Sequence, residues 1–386
     1  MNTQTILAHN SRDTRLVLFL GIANWFMFLD HIPNNRVNWI TLRNFGFSGA
    51  ADVFIFISGY AAAVLFAKIM LERGTIIGAT RLLRRVWQLY AAFIVLFAIY
   101  AVSIGDAATR LAAPDIIYEF NIAGLLEEPV RTVAHGLLLQ SRALNLDVLQ
   151  IYVLLMACFP AVLWMMLRES DLTMAASFAL YLAARQFGWN LPSFPEGSWY
   201  FNPFCWQVLF VLGAWCALGG ARRIRKSFRS PLAIYFGVAY LIFALVITMA
   251  GHYPTFEQIL PAWLRDLFIP NDKTNLAPYR LLHFIIIALF ATRLMPKDWA
   301  GLSWPIFKPM IICGEQSLAV FCAGVFLSFA GHFVLLTGSG TLIEQILVSL
   351  AGIGIMTLVA VYIAWSKRQD HPLAGRIGQT ASLKAG

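Results

Sequence analysis

Ten apolar runs follow one another from end to end of this chain, at 16–33, 51–70, 84–104, 148–167, 173–187, 204–219, 232–250, 278–295, 313–336 and 342–365. Each holds about 15 to 24 residues. A helix rises about 1.5 Å per residue, so runs of this length match a hydrocarbon layer of roughly 30 Å. The 386 residues are 59% hydrophobic and 13% charged, where a soluble domain is about a quarter charged. A water-soluble core cannot hide that much apolar surface. The expected fold is an all-α integral membrane protein, a bundle of about ten transmembrane helices. No internal repeat divides the chain, so residues 1–386 read as one polytopic domain with polar tails at 1–15 and 366–386. The first fifteen residues lack the short apolar core and cleavage site of a signal peptide, and the first run is expected to stay as an anchor.

Lys and Arg alternate in density from one connection to the next. One side holds Arg12, Arg15, Arg73, Arg81, Arg84, Arg85, Arg168, Arg222, Arg223, Arg225, Lys226, Arg229, Arg293, Lys297, Lys308, Lys367, Arg368, Arg376 and Lys384. The other holds only Arg36, Arg43, Arg110, Arg131, Arg142, Arg265 and Lys273. The positive-inside rule then puts both termini in the cytoplasm after ten crossings. This placement accounts for the net charge of +9, so the partner it implies is a lipid bilayer and not a nucleic acid. The five cysteines, Cys158, Cys205, Cys216, Cys313 and Cys322, lie in or beside apolar runs without metal-ligand spacing and read as buried thiols.

The outer connections differ in kind. The segment 105–147 carries an excess of acids, and 187–203 and 251–277 are rich in Pro, Trp, Tyr and Asn. Trp39, Trp189, Trp199, Tyr200 and Trp263 fall at or near the outer face. They fit the aromatic belt of any membrane interface, and also a platform on which sugar rings can pack.

Ionisable groups inside a membrane are costly and mark cavities or functional paths. Val17, Leu20, Asn24, Met27 and His31 form one stripe on the first helix, flanked at its outer end by Asp30, Asn34 and Asn35. Asp52 opens the second helix, Asn202 and Gln207 the sixth, and Arg280 and His283 the eighth, one turn apart. His332 lies far along the ninth, with Glu315 and Gln316 near its start. His31, Asp52, Asn202, Gln207, Arg280, His283 and His332 therefore fall at one depth on five helices, which predicts a shared polar cavity near the outside. Taken singly, each is also an ordinary interfacial residue. Histidine can take a proton from a hydroxyl near neutral pH. A carboxylate such as Asp52 can orient it, and an arginine can hold an acyl carboxylate or a developing oxyanion. The histidines have no zincin-like spacing, so no metal is expected. The sequence contains no P-loop, dinucleotide fingerprint or nucleophile elbow.

Several strings resemble the OpgC family of membrane acyltransferases: Gly21 to Asn35 (GIANWFMFLDHIPNN), Phe54 to Tyr60 (FIFISGY), Arg81 to Tyr90, Ala183 to Pro192, Trp199 to Phe204, Pro278 to His283 and Val320 to His332. The similarity covers essentially the whole chain. It implies a multi-pass protein of the bacterial inner membrane that transfers succinyl groups to hydroxyls of osmoregulated periplasmic glucans. Succinyl-CoA is then the donor substrate, with no bound cofactor. The glucan is the acceptor, and other glucan-biosynthesis proteins are further partners. His31 matches the family histidine and is expected to be the catalytic base, with Asp52 beside it. Asn24, Asn34, Asn202, Gln207, Arg280, His283 and His332 are expected to line the substrate site. Arg84 and Arg85 are expected to attract the donor phosphates, although topology alone also explains them. The sequence departs from the family pattern at Val17, Leu20 and Phe93, where Asp, Arg and His are expected. Two other readings follow: a catalytically inactive relative that still binds glucan or partners, and a transporter using the intramembrane His and Arg. The absence of an inverted repeat speaks against the transporter.

Overall fold

The structure is a computed structural model and describes residues 13–110, 124–141, 145–224 and 230–383, with side chains described except at 107–109, 125, 126, 223, 224 and 370–383. Arg12, Arg142, Arg225, Lys226, Arg229 and Lys384, counted above in the charge bias, lie outside these residues. Every apolar run falls mainly on helix. The principal helices are α1 Thr14–Asp30, α2 Ala50–Arg73, α3 Thr75–Arg110, α4 Asp147–Arg168, α5 Ser170–Phe187, α6 Pro203–Ala217, α7 Pro231–His252, α8 Pro278–Leu294, α9 Lys308–Glu315, α10 Ser317–Thr337 and α11 Leu342–Leu383. Among the described residues there is no strand, only the isolated bridges Ser141–Phe194 and Pro192–Ser198. Among the described residues six helical stretches are long and apolar enough to cross a membrane: Ala50–Arg73, Thr75–Asp106, Asp147–Arg168, Pro231–His252, Ser317–Thr337 and Leu342–Gln369.

Several boundaries differ from the sequence expectation: α3 starts at Thr75, nine residues before the run 84–104, and α11 runs on to Leu383, into the tail at 366–386. The run 313–336 is interrupted at Gln316, which separates α9 from α10. The first helix stops at Asp30, so His31 sits in the turn after it instead of on its stripe. The connections between principal helices also carry structure of their own, as short helices at Gly124–Glu127, Pro129–Leu137, Pro254–Glu257 and Ala262–Phe268.

The chain divides into two compact units, one of Met1–Asp13 with Ile40–Pro296 and one of Thr14–Trp39 with Lys297–Gly386. In the first, α2 and α6 meet backbone to backbone. A Cβ at Gly59 would stand 2.0 Å from the Phe210 carbonyl oxygen, and one at Gly213 would stand 2.0 Å from that of Phe56. Only glycine at both positions permits that approach, the small-residue packing expected of helices in lipid. Helix starts in this unit are set by local chemistry. Asn202 caps α6 by accepting from Phe204 N at 3.1 Å, and Ser230 caps α7 by accepting from Ala233 N at 3.2 Å. Pro203, Pro231 and Pro278 occupy first-turn positions that need no amide donor.

The second unit repeats the glycine device. A Cβ at Gly21 would stand 1.8 Å from Met310 O, and one at Gly314 would stand 1.9 Å from Val17 O, which seats α1 on α9. Its core joins Phe28, Leu29 and Ile32 to Cys313, Val320, Met356 and Ala360.

Candidate active site

In the first unit an ion pair ties α8 to the start of α2. Arg280 donates from Nε to Asp52 Oδ1 at 2.9 Å and from Nη2 to Asp52 Oδ2, and its Nη1 donates to Phe47 O at 2.6 Å. The Gly49 amide donates to the same carboxylate at 2.8 Å. Asp52 is fully buried and Arg280 is 4% exposed. The guanidinium also lies 5.7 Å from the centre of the Trp206 ring. A buried pair holds only when the remaining donors and acceptors are met; here each Asp52 oxygen accepts from Arg280, and Gly49 satisfies one of them further.

One turn along α8, His283 reaches the loop that leads into α2. Ser48 N donates to His283 Nδ1 at 3.2 Å, and Ser48 Oγ lies 2.7 Å from the same atom. An amide nitrogen can only donate, so Nδ1 is the acceptor and Nε2 carries the ring hydrogen. That Nε2 is buried without a partner. It faces Gly46, where a Cβ would stand 2.0 Å away. With Ser48 and His283 both buried, this contact clasps residues 46–49 onto α8. Phe47 completes the clasp, stacked on Phe268 at 5.4 Å and edge-on to Tyr279 at 4.9 Å.

The segment 271–276 supplies the rest of this polar layer. Asn271 Nδ2 donates to Phe47 O at 2.8 Å. Trp206 Nε1 donates to Lys273 O at 3.0 Å. Asn202 Nδ2 donates to Trp189 O at 2.6 Å and to Asn275 Oδ1 at 3.0 Å. Arg185 pairs with Asp272 at 3.2 Å and donates to Asn275 O at 2.9 Å. Asp52, Arg280, His283 and Asn202 thus belong to one hydrogen-bonded layer of the first unit. Gln207 stands apart, joined to Ser177 through Ser177 Oγ to Gln207 Oε1 at 2.6 Å and Gln207 Nε2 to Ser177 O at 2.8 Å; it fastens α6 to α5. Ser48, Asn271 and Asp272 are polar members that the sequence reading did not single out. They lie in connections, where polar residues are ordinary; only the two glycines flanking Phe47 and Ser48 hint at a tight approach.

In the second unit His31 is half-buried directly after α1, and His332 is 3% exposed within α10. Asn34 is exposed with φ of 57°. Its neighbour Asn35 is buried and donates to Ser349 Oγ at 3.1 Å, while Gln345 Oε1 accepts from Arg36 N at 2.8 Å. Asn24, 1% exposed, donates to Leu20 O at 2.9 Å and to Ser317 Oγ at 3.1 Å, and its Oδ1 has no partner. Val17 and Leu20 are half-buried on the same helix.

Arg84 is exposed and Arg85 half-buried on α3, with Arg85 donating to Gln88 Oε1 at 3.1 Å. Of the aromatics expected at the outer face, Trp39, Trp189, Tyr200 and Trp263 are exposed, while Trp199 is 5% exposed and packs inward. Burial pushes the Tyr200 phenol up, so its hydroxyl stays protonated at neutral pH.

No curated protein and no solved structure matches the sequence. A family model described as OpgC protein matches residues 12–368, nearly the whole length of the chain, and the chain belongs to that family.

Proposed function

We propose that this protein is a multi-pass acyltransferase of the bacterial inner membrane that transfers succinyl groups from succinyl-CoA to hydroxyls of periplasmic glucans. The observation that carries the reading is the family match over residues 12–368, in a chain whose helices include six fit to cross a bilayer. In this reading ten crossings leave both termini in the cytoplasm. The basic connections, with Arg84 and Arg85, then face the side on which the donor is made. His31 is the base. It takes the proton of a glucose hydroxyl as that oxygen attacks the thioester carbonyl, and the thiol of the donor leaves with a proton as the succinyl ester forms. Half-burial suits this role, since the ring stays reachable by a polymer while part of it is shielded. The Asp52–Arg280 pair and His283 hold the outer end of α8 against the start of α2 and keep the surrounding polar layer rigid.

Purified protein in lipid nanodiscs, given labelled succinyl-CoA and neutral periplasmic glucan, tests the reaction. The expected result is label in the glucan with the chain as written and at least about a hundredfold less with His31→Ala, the scale of loss for a general base. Full transfer by His31→Ala overturns the assignment of the base. Absence of transfer by the chain, with transfer restored in Val17→Asp/Leu20→Arg, identifies it as the inactive form of the same scaffold.

A further inference from the structure

The stretch that leads from α8 into α9 folds into a cluster of aromatic rings. Residues 297–308 belong to the second unit and turn twice, in 3-10 helices at Ala300–Ser303 and Pro305–Phe307. Leu302 N donates to Trp299 O at 3.1 Å, Trp304 N to Gly301 O at 3.0 Å and Phe307 N to Trp304 O at 3.1 Å. Ser303 Oγ donates to Ala300 O at 2.7 Å. The turns bring three rings together. Trp299 lies 5.6 Å from Trp304 and 5.8 Å from Phe307, and Trp304 stacks on Phe307 at 6.4 Å with planes 12° apart. A Cβ at Gly301 would stand 2.3 Å from the Trp299 ring, so glycine there lets the ring fold back over the turn.

The surface of this cluster is mixed in character. Trp304 is 56% exposed and Ile306 is 66% exposed, and Lys308, two residues on, is exposed as well. At the other end of the segment Lys297 is half-buried and Asp298 exposed. Two lysines against one aspartate leave the segment cationic. Water is a poor medium for an indole and an isoleucine held outward by fixed turns. Hydrocarbon is a poor one for Lys308 and for irregular backbone open to lipid. The headgroup layer of a bilayer suits both. It admits indole and aliphatic side chains, hydrates the backbone and offers phosphate oxygens to ammonium groups.

We infer that residues 297–308 form a membrane-interface anchor, with Trp304 and Ile306 seated among phospholipid headgroups and Lys297 and Lys308 meeting their phosphates. The anchor sets the depth at which α9 begins. Because α9 is seated on α1 through Gly21 and Gly314, it also sets the depth of α1 and of His31 just after it. The inference rests on the chain spanning a bilayer and is independent of the reaction proposed above.

The test uses the full chain with its five cysteines replaced and a bimane label on Ile306→Cys, in vesicles of phosphatidylcholine and phosphatidylglycerol. Position 306 is on the surface, so the label leaves folding intact. Quenching is compared for a nitroxide on the lipid headgroup, a nitroxide near the end of the acyl chain, and acrylamide in the water. The headgroup nitroxide should quench more strongly than either of the others. A lysine near an anionic surface is worth about fivefold in binding, so Lys297→Gln/Lys308→Gln should shift the balance from headgroup nitroxide toward acrylamide about fivefold or more. An unchanged balance in that variant overturns the phosphate contact. Dominant quenching by acrylamide in the parent shows a solvated turn and overturns the anchor. Dominant quenching by the deep nitroxide overturns the headgroup placement, and quenching by none of the three shows a surface covered by protein and overturns the anchor too.

Discussion

At the scale of single residues, the best-defined feature is the Asp52–Arg280 pair. Removing one member leaves the other charged and buried, which costs about 3–5 kcal/mol, while replacing both by apolar residues of similar size costs far less. Asp52→Leu should therefore lower the melting temperature in detergent sharply, and Asp52→Leu/Arg280→Met should recover most of the loss. Equal losses in the single and double variants would show that the pair is not coupled. Sequence alone finds Asp52, Arg280 and His283 because an ionisable group in an apolar run is expensive and stands out. It does not find Ser48 or Asn271, which complete the same layer, because nothing distinguishes a functional polar residue in a connection from an ordinary one.

At the scale of elements, apolarity locates the principal helices other than α9, most of which precedes the run 313–336, since burial in hydrocarbon requires a closed backbone hydrogen-bond pattern. The break at Gln316 is not legible, because a change in backbone hydrogen bonding leaves the apolar run intact. The reciprocal pairs Gly59–Gly213 and Gly21–Gly314 are visible only as glycines in helices until the facing carbonyls are placed. Those carbonyls cannot swing aside as a side chain can. Gly59→Leu should cost about 3 kcal/mol or more through overpacking and lower the yield of folded protein. A Cβ at Gly354 would meet nothing within 4 Å, so Gly354→Ala should be neutral or gain up to about 1 kcal/mol from helix propensity. Thermal unfolding of both variants in the same detergent checks the contrast; similar behaviour would refute close packing at Gly59.

At the scale of the whole molecule, sequence order and spatial grouping part company. The second unit takes α1 from the beginning of the chain and α9 to α11 from its end, with the first unit inserted between them, a grouping that no composition change marks. Charge placement, by contrast, gives a specific topology. In a version of the chain with its five cysteines replaced, Trp263→Cys should react with an impermeant maleimide in intact cells, and Thr75→Cys only after lysis; the reverse pattern would invert the orientation. The reaction itself is read most directly from the succinate content of periplasmic glucans from a strain lacking its own acyltransferase and expressing this chain. Anionic glucans are expected with the chain as written and neutral glucans with His31→Ala. Neutral glucans from a well-folded, membrane-inserted parent chain would contradict it.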